Sequence, residues 1–387
     1  MIVPIRKFRS GLRYCSISIT ESPITAPGIA YPVLKKLVTN LIVLLLLYLL
    51  TLKIKNAVED SGIEEFDPLR TAVVIGTALG GADINADDQL RLDSDGPAAV
   101  DSKFMVKSLS NMPSAHIALR WGLHGPQLAL STACASSHDA MGIAARMIDT
   151  GEIDVAITGG TDCAISPLVF FGARNNRMFT PQPDPYKTCR PFNVERFGVM
   201  LGEAAGIFVL ERADQARKRG APIHGMLRGY ATLADGYHPS SPEPDGKWEQ
   251  RVMELAIENA RMPGGADDIN AVVAHGTGTP VGDIAELGAL NRIYGDRKVP
   301  LPITAPKGNF GHPHGPAGAL GMLVGIHSMQ QNALMATAGT DDPKDLMSEV
   351  DKLRVVINEP TPTKIDAFQV NAFGFGGQNS SMIVSRE

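Results

Sequence analysis

From Arg70 onward, short apolar runs alternate with longer stretches of mixed polarity. The runs Thr71–Gly76, Gln127–Leu130, Asp154–Thr158, Ile269–Ala274 and Leu301–Thr304 each end in glycine, proline or small polar residues, which predicts strands closed by turns. Residues 104–121 predict two short helices, and 134–149, Trp248–Arg261 and Pro316–Gln331 predict longer ones. The chain closes on Ile365–Val370 and Asn379–Ser385, a predicted hairpin. No segment recurs with the period of a tandem repeat. Two stretches nevertheless share one order of strand, small-residue loop and helix, 130–149 and 303–331. The pattern gives an α/β class with mixed sheets.

The first 56 residues break this rhythm. Met1 to Thr20 holds Arg6, Lys7, Arg9 and Arg13 and no acidic residue, which resembles an organellar transit peptide. Leu37 to Leu52 carries no charge and is bracketed by Lys35-Lys36 and Lys53. At ~1.5 Å per residue that run spans about 24 Å, short of a ~30 Å hydrocarbon core, so a buried helix is favoured over a membrane anchor. Being apolar on every face, it suits full enclosure or lipid and not a protein surface.

Composition fits a soluble enzyme: 387 residues bury a sizeable core, and a net charge of −5 gives no electrostatic reason to bind nucleic acid. Cys15, Cys134, Cys163 and Cys189 show neither metal-ligand spacing nor a compact disulfide pattern, so a reducing compartment, the cytoplasm first, is expected. An organellar matrix or a membrane surface is the alternative that the N-terminal segment raises. No metal or cofactor motif is present.

Candidate chemistry centres on Ser131-Thr132-Ala133-Cys134-Ala135-Ser136-Ser137, between a strand-like and a helix-like run. A thiol at such a turn faces unpaired helix N–H groups and the positive end of the helix dipole, a field that favours thiolate. The competing reading is a buried structural cysteine. Two histidines weigh against it. His275 opens His275-Gly276-Thr277-Gly278-Thr279-Pro280 after one strand, and His312 ends Lys307-Gly308-Asn309-Phe310-Gly311-His312 after another. Glycine-rich loops at strand ends let both point into a shared cleft. Asn371-Ala372-Phe373-Gly374-Phe375-Gly376-Gly377 follows a further strand, and its glycines permit close backbone approach to a ligand.

Together these blocks resemble the β-ketoacyl-acyl carrier protein synthases, of the elongating type with a Cys-His-His triad. The resemblance runs from about Ala57 to the C-terminus and includes Gly159-Gly160, Arg190-Pro191-Phe192-Asn193 and Gly202-Glu203-Ala204-Ala205-Gly206. Members of that family normally open with a strand and turn reading V-V-V-T-G-x-G, and nothing like it precedes Ala57.

The resemblance implies a thiolase-like fold, duplicated halves in five layers α-β-α-β-α. It divides the chain into an atypical segment 1–56, a nucleophile half 57–230 and a histidine half 231–387. It implies condensation of an acyl group on Cys134 with malonyl-acyl carrier protein, in fatty acid or polyketide elongation. His275 and His312 would donate to the malonyl thioester oxygen, and the backbone N–H groups of Cys134 and Phe373 would form the oxyanion hole. Phe373 would also be the gate that admits extender. Lys307, paired with Glu286, would organise the site. Thr277, Thr279, Ser240, Gly374 and Phe375 would meet the pantetheine and acyl groups. The partner is an acyl carrier protein, and the assembly a homodimer or, alternatively, a heterodimer. A degradative thiolase needs a second catalytic cysteine late in the chain, and none follows Cys189. The remaining alternative is a non-catalytic or membrane-tethered partner subunit.

Overall fold

The computed structural model describes residues 54–387 apart from 164, 180, 181, 183, 185, 186 and 351. The apolar run Leu37 to Leu52 and the basic stretch before it lie outside the described residues. The nucleophile half holds α1 (residues 54–61), β1 (Thr71–Gly76), α2 (Ala82–Asp95), α3 (Phe104–Ser108), α4 (Met112–Trp121), β2 (Gln127–Leu130), α5 (Ser136–Asp149), β3 (Val155–Asp162), α6 (Pro167–Asn175), β4 (Ala204–Glu211) and α7 (Ala213–Arg219). The second half holds β5 (Met226–Ala234), α8 (Lys247–Ala260), β6 (Ala271–Val273), α9 (Pro280–Tyr294), β7 (Leu301–Thr304), α10 (Lys307–Phe310), α11 (Ala317–Gln331), β8 (Ala333–Leu334), β9 (Leu353–Val355), β10 (Thr361–Pro362), β11 (Ala367–Gly374) and β12 (Gln378–Ser385).

One pairing scheme occurs twice. In the first sheet, of order β2-β1-β3-β4, β1 lies parallel to β2 and β3, and β4 returns antiparallel on β3. In the second, of order β5-β12-β11-β6-β7-β9, β6 lies parallel to β7 and β11, and β12 returns antiparallel on β11. The duplication expected from the strand–loop–helix order is therefore real. The copies differ at one edge: β12 pairs along its length with β5, whereas among the described residues β4 is paired on one side only. That open edge lies in the half where the opening strand motif was missed. The division drawn between 230 and 231 falls inside β5, a strand of the second sheet, so the structural handover lies earlier, between α7 and β5.

Helices complete the layers. α5 and α11 pack against each other and against both sheets, forming the middle layer. α1 and α4 cover the outer face of the first sheet through Ile54, Ile117 and Ala118 on Val73, Ile75 and Ile157. α8 and α9 cover the second through Val252, Met253, Leu287 and Leu290 on Val272 and Ile303. The arrangement is α-β-α-β-α, a thiolase-like fold. The middle helices are rich in small residues because sheets press on them from two sides; a Cβ at Gly325 of α11 would lie 2.1 Å from the Phe368 ring of β11. Among the described residues, no helix is long and apolar enough to cross a membrane.

Two expectations about loops change. β3 continues to Asp162, so Gly159 and Gly160 pair within the sheet, opposite Gly206 and Ile207. β11 continues through Gly374, so Phe373 belongs to a strand and the glycine-rich turn is only 375–377.

Candidate active site

β2 ends at Leu130, and the chain turns sharply into α5 through Ala133, whose φ of +49° is unusual for a residue with a side chain. Ser136 holds the turn, its Oγ–H donating to the Ala133 carbonyl at 2.6 Å and its Oγ accepting from Thr132 N–H at 3.0 Å. This sets Cys134 one turn before α5. Gly374 closes on it from β11: a Cβ there would sit 2.8 Å from the Thr132 carbonyl and 3.0 Å from Cys134 N, so only glycine fits. Its place is backbone closure against the nucleophile turn.

The two histidines arrive from the second half. His275 follows β6, and its ring lies edge-on to that of His312, centroids 5.6 Å apart. His312 Nε2 is 3.0 Å from Cys134 Sγ. His312 Nδ1 accepts from His314 N–H at 3.2 Å, which leaves the ring proton on Nε2, directed at the sulfur. His275 Nδ1 accepts from the Lys307 ammonium at 3.1 Å and from Phe373 N–H at 3.3 Å, so its proton too is on Nε2. Burial, and then the nearby Lys307 charge, hold both imidazoles well below the usual histidine range, so they are neutral.

Cys134 departs from the sequence expectation. Its thiol is pushed up to about 11, because burial outweighs the Lys307 charge and the backbone N–H groups of Phe375 and Cys134 that favour the thiolate. The thiolate expected from a helix N-terminus is therefore not favoured here, because the loss of water dominates.

Lys307 lies buried in the one-turn helix α10 and donates to both the ring and the carbonyl of His275. The expected Lys307–Glu286 ion pair is not direct. Glu286, on α9, instead accepts from His275 N–H at 2.8 Å, Gly276 N–H at 2.7 Å and Asn371 Nδ2 at 3.1 Å. Desolvation lowers the lysine to about 8, with the Glu286 charge working the other way across the gap.

The two phenylalanines exchange places relative to expectation. Phe373 packs against the second-half core and the His275 ring, and its N–H is spent on His275. The backbone N–H that reaches the sulfur is that of Phe375, whose side chain is 42 % exposed at the tip of the turn. The shared aromatic-glycine pattern of the two positions hid this difference; strand periodicity ending at Gly374 is the signal that separates them.

Thr277 and Thr279 hydrogen-bond each other at 2.9 Å, with Thr277 buried. Ser240 is exposed, in the loop whose Pro239 carbonyl accepts from Gly376 N–H at 2.8 Å, so it borders the Phe375 turn. Two supports went unread in the sequence. Asp283, buried on α9, accepts from Phe192 N–H at 2.7 Å and Gly278 N–H at 3.0 Å, which explains the Arg190–Asn193 block as a brace for the His275 loop. Asp162 at the end of β3 accepts from Thr77 Oγ1 at 2.7 Å, Ala78 N–H at 2.8 Å, Leu79 N–H at 3.1 Å and Gly315 N–H at 2.7 Å, tying the nucleophile half to the His312 loop. No group of acidic, histidine and cysteine side chains able to hold a metal occurs among the described residues.

A thiol held by neutral N–H donors, beside a second neutral histidine, is a site for acyl transfer and for stabilising an enolate oxygen. Comparison with known proteins agrees. Residues 46–216 match the beta-ketoacyl synthase N-terminal domain and 224–341 the C-terminal domain. The 3-oxoacyl-[acyl-carrier-protein] synthase 2 of Vibrio cholerae is 34% identical over 339 residues, 86% of this chain and 80% of the relative. In a type II polyketide ketosynthase solved with its acyl-carrier protein and a hexaketide, the matching chain is 25% identical, with a TM-score of 0.83 over 88% of this chain and 85% of that one. A ketosynthase–chain length factor complex from Xenorhabdus doucetiae holds a chain 26% identical, TM-score 0.71, covering 87% and 78%. Two matched domains spanning both duplicated halves, over a fold that brings Cys134 to His312, place this chain in the beta-ketoacyl synthase family.

Proposed function

We propose that this chain elongates acyl groups: it accepts one on Cys134 and condenses it with a malonyl group carried on an acyl carrier protein. The observation that carries the reading is the 3.0 Å contact of His312 Nε2–H on Cys134 Sγ with neutral His275 beside it. In the first step the Cys134 sulfur attacks the carrier thioester. The carrier thiol leaves with the proton, and the oxyanion formed meets the N–H groups of Cys134 and Phe375. In the second, malonyl-carrier loses carbon dioxide, and the enolate oxygen left behind accepts from the Nε2–H groups of His275 and His312. Preorganised donors at developing charge contribute several kcal/mol, about 2.7–4 for one such donor. In the third, the enolate carbon attacks the acyl-cysteine carbonyl, the tetrahedral intermediate expels the Cys134 thiolate, and 3-oxoacyl-carrier departs.

Phe375 suits a gate better than Phe373, since its side chain is exposed outside the core while its backbone N–H lies near enough to the sulfur to favour the thiolate. The Ser240 loop beside it, with Thr277 and Thr279, suits the amides of a pantetheine arm. The carrier partner follows the names of the relatives. A dimer is supported by β2, an edge strand with Leu128 38 % exposed beside the nucleophile turn. Retention of Cys134 with its donors favours the catalytic member where the assembly is a heterodimer. Mass spectrometry of carrier-bound products, from purified protein with acyl- and malonyl-carrier, tests the reading. A 3-oxoacyl product two carbons longer is expected; unextended carrier would refute it.

A further inference from the structure

Tyr294, Gln369, Ser381, Asn371 and Glu286 form a buried hydrogen-bond chain, none more than 3 % exposed. It starts and ends on α9, crossing β11 and β12 between. Tyr294 O–H meets Gln369 Oε1 at 2.7 Å, Gln369 Nε2 meets Ser381 Oγ at 2.9 Å, Ser381 Oγ meets Asn371 Oδ1 at 2.9 Å, and Asn371 Nδ2 meets Glu286 Oε1 at 3.1 Å. Its direction is fixed from one anchor. Gln369 Nε2 also lies 3.2 Å from the Met253 carbonyl, which can only accept. The amide nitrogen therefore donates, and its oxygen must take the tyrosine proton. Ser381, already an acceptor, donates onward, and Asn371 then turns its NH2 to Glu286. Every donor points at the carboxylate, an alignment in which each bond polarises the next.

The chain runs through an apolar cluster that includes Met253, Leu287, Leu290 and Ile383. Apolar residues of similar volume would serve stability there at least as well. Its end is functional: Glu286 grips the backbone of His275 and Gly276, and Lys307 bonds the His275 ring. We propose that Tyr294, Gln369 and Ser381 are positioning residues of the condensation, holding the Glu286 carboxylate so that Lys307 and His275 keep the arrangement that decarboxylation needs. This rests on the function proposed above. Burial raises Glu286 above the usual carboxylate range, and the Gly276, His275 and Asn371 donors, with the Lys307 charge, work against that rise. Glu249 of α8, nearby, is itself pushed up to about 8, by burial first and then by Glu286. The Glu286 charge in turn supports the proton on Lys307. Lys307 is faced also by Asp283 of α9, by the Cys134 and Cys189 thiols and by the His275 and His312 imidazoles, with His138 of α5 behind them. None of these is altered by the substitutions below.

The test uses the full chain with acyl- and malonyl-carrier, comparing wild type, Tyr294→Phe, Ser381→Ala and Ser381→Thr. Acylation of Cys134 is read by intact mass, and carbon dioxide release as a function of pH. Tyr294→Phe and Ser381→Ala should acylate at the wild-type rate but decarboxylate about tenfold more slowly, the order seen when an outer hydrogen-bond partner is removed. The alkaline limb of their pH profile should move to lower pH, because Lys307 gives up its proton sooner. Ser381→Thr, which keeps the hydroxyl, should restore both. An unmoved alkaline limb, or acylation and decarboxylation falling in parallel with the melting temperature, would overturn the proposal. Wild type that acylates yet releases no carbon dioxide would instead refute the functional reading, and this chain of residues with it.

Discussion

Lys307 Nζ stands 3.1 Å from His275 Nδ1, and this contact decides which ring nitrogen carries the proton. An ammonium has no acceptor to offer, so the ring must accept at Nδ1 and present Nε2–H to the cleft. The lysine thus acts through the histidine. Lys307→Met should leave acylation of Cys134 largely intact and slow carbon dioxide release from malonyl-carrier by about 10²–10³, the usual loss of one preorganised donor. Equal loss of both steps would show that the lysine merely holds the loop.

The same contact predicts a pH dependence. Lys307 is lowered from 10.5 to about 8 by burial. Decarboxylation should therefore fall as pH rises through about 8, and this limb should be missing in Lys307→Met. Stability moves in the opposite sense. Between about pH 8 and 10.5 the folded lysine binds less proton than the unfolded one, so its contribution to stability rises with pH across that window. Decarboxylation rates and denaturation midpoints measured across the window check both signs.

Cys134→Ala removes the thiol that His312 contacts and leaves the histidines in place. Intact mass should show no acyl adduct, while carbon dioxide release from malonyl-carrier persists. An adduct of normal yield on the variant would place the nucleophile elsewhere.

His275→Ala and His312→Ala should each suppress decarboxylation by about 10²–10³. They should differ in acylation, since only His312 touches the sulfur. His312→Ala is expected to slow adduct formation and His275→Ala to spare it. Indistinguishable acylation in the two would contradict the geometry around Sγ.

Phe373 and Phe375 should separate stability from chemistry. Phe373→Ala opens a space beside the second core and should cost roughly 2 kcal/mol, below the ~3–5 of a fully buried phenylalanine. Phe375→Ala, at an exposed tip, should leave the melting temperature unchanged and alter acyl and malonyl transfer. Calorimetry with single-turnover transfer rates distinguishes them; the reverse assignment would return the gate to Phe373.

What the sequence disclosed follows from how each element earns its burial. β1 and β7 read directly as short, largely apolar strands, and the β11–β12 hairpin from its apolar residues on either side of a glycine-rich turn. β4 opens Ala-Ala-Gly and β5 is interrupted by Gly229, so neither stands out as a strand. α2 went unread because its sequence, ADINADDQLRLDSD, has no apolar stripe. The thiol and both histidines were legible from their loops, since glycine and strand ends mark places where side chains converge. Hydrogen-bond direction was not. That Lys307 serves His275 and not Glu286 depends on how α10 meets the loop after β6, and that Phe375 and not Phe373 lies by the sulfur depends on β11 ending at Gly374.

Asp162 gives the site a property that chain connectivity does not supply. Its carboxylate gathers donors from the turn after β1 and from Gly315 behind His312, while Met200 and Gly202 exchange backbone bonds with His312 from the other side. The thiol belongs to one copy of an ancestral-looking unit and the imidazoles to the other, so the reaction takes place on a seam. Registration across the seam is non-covalent. A cut in the surface link between Gly220 and His224 would sever the backbone yet leave every one of these bonds in place. Two fragments meeting along this face would line up sulfur and imidazole as the single chain does.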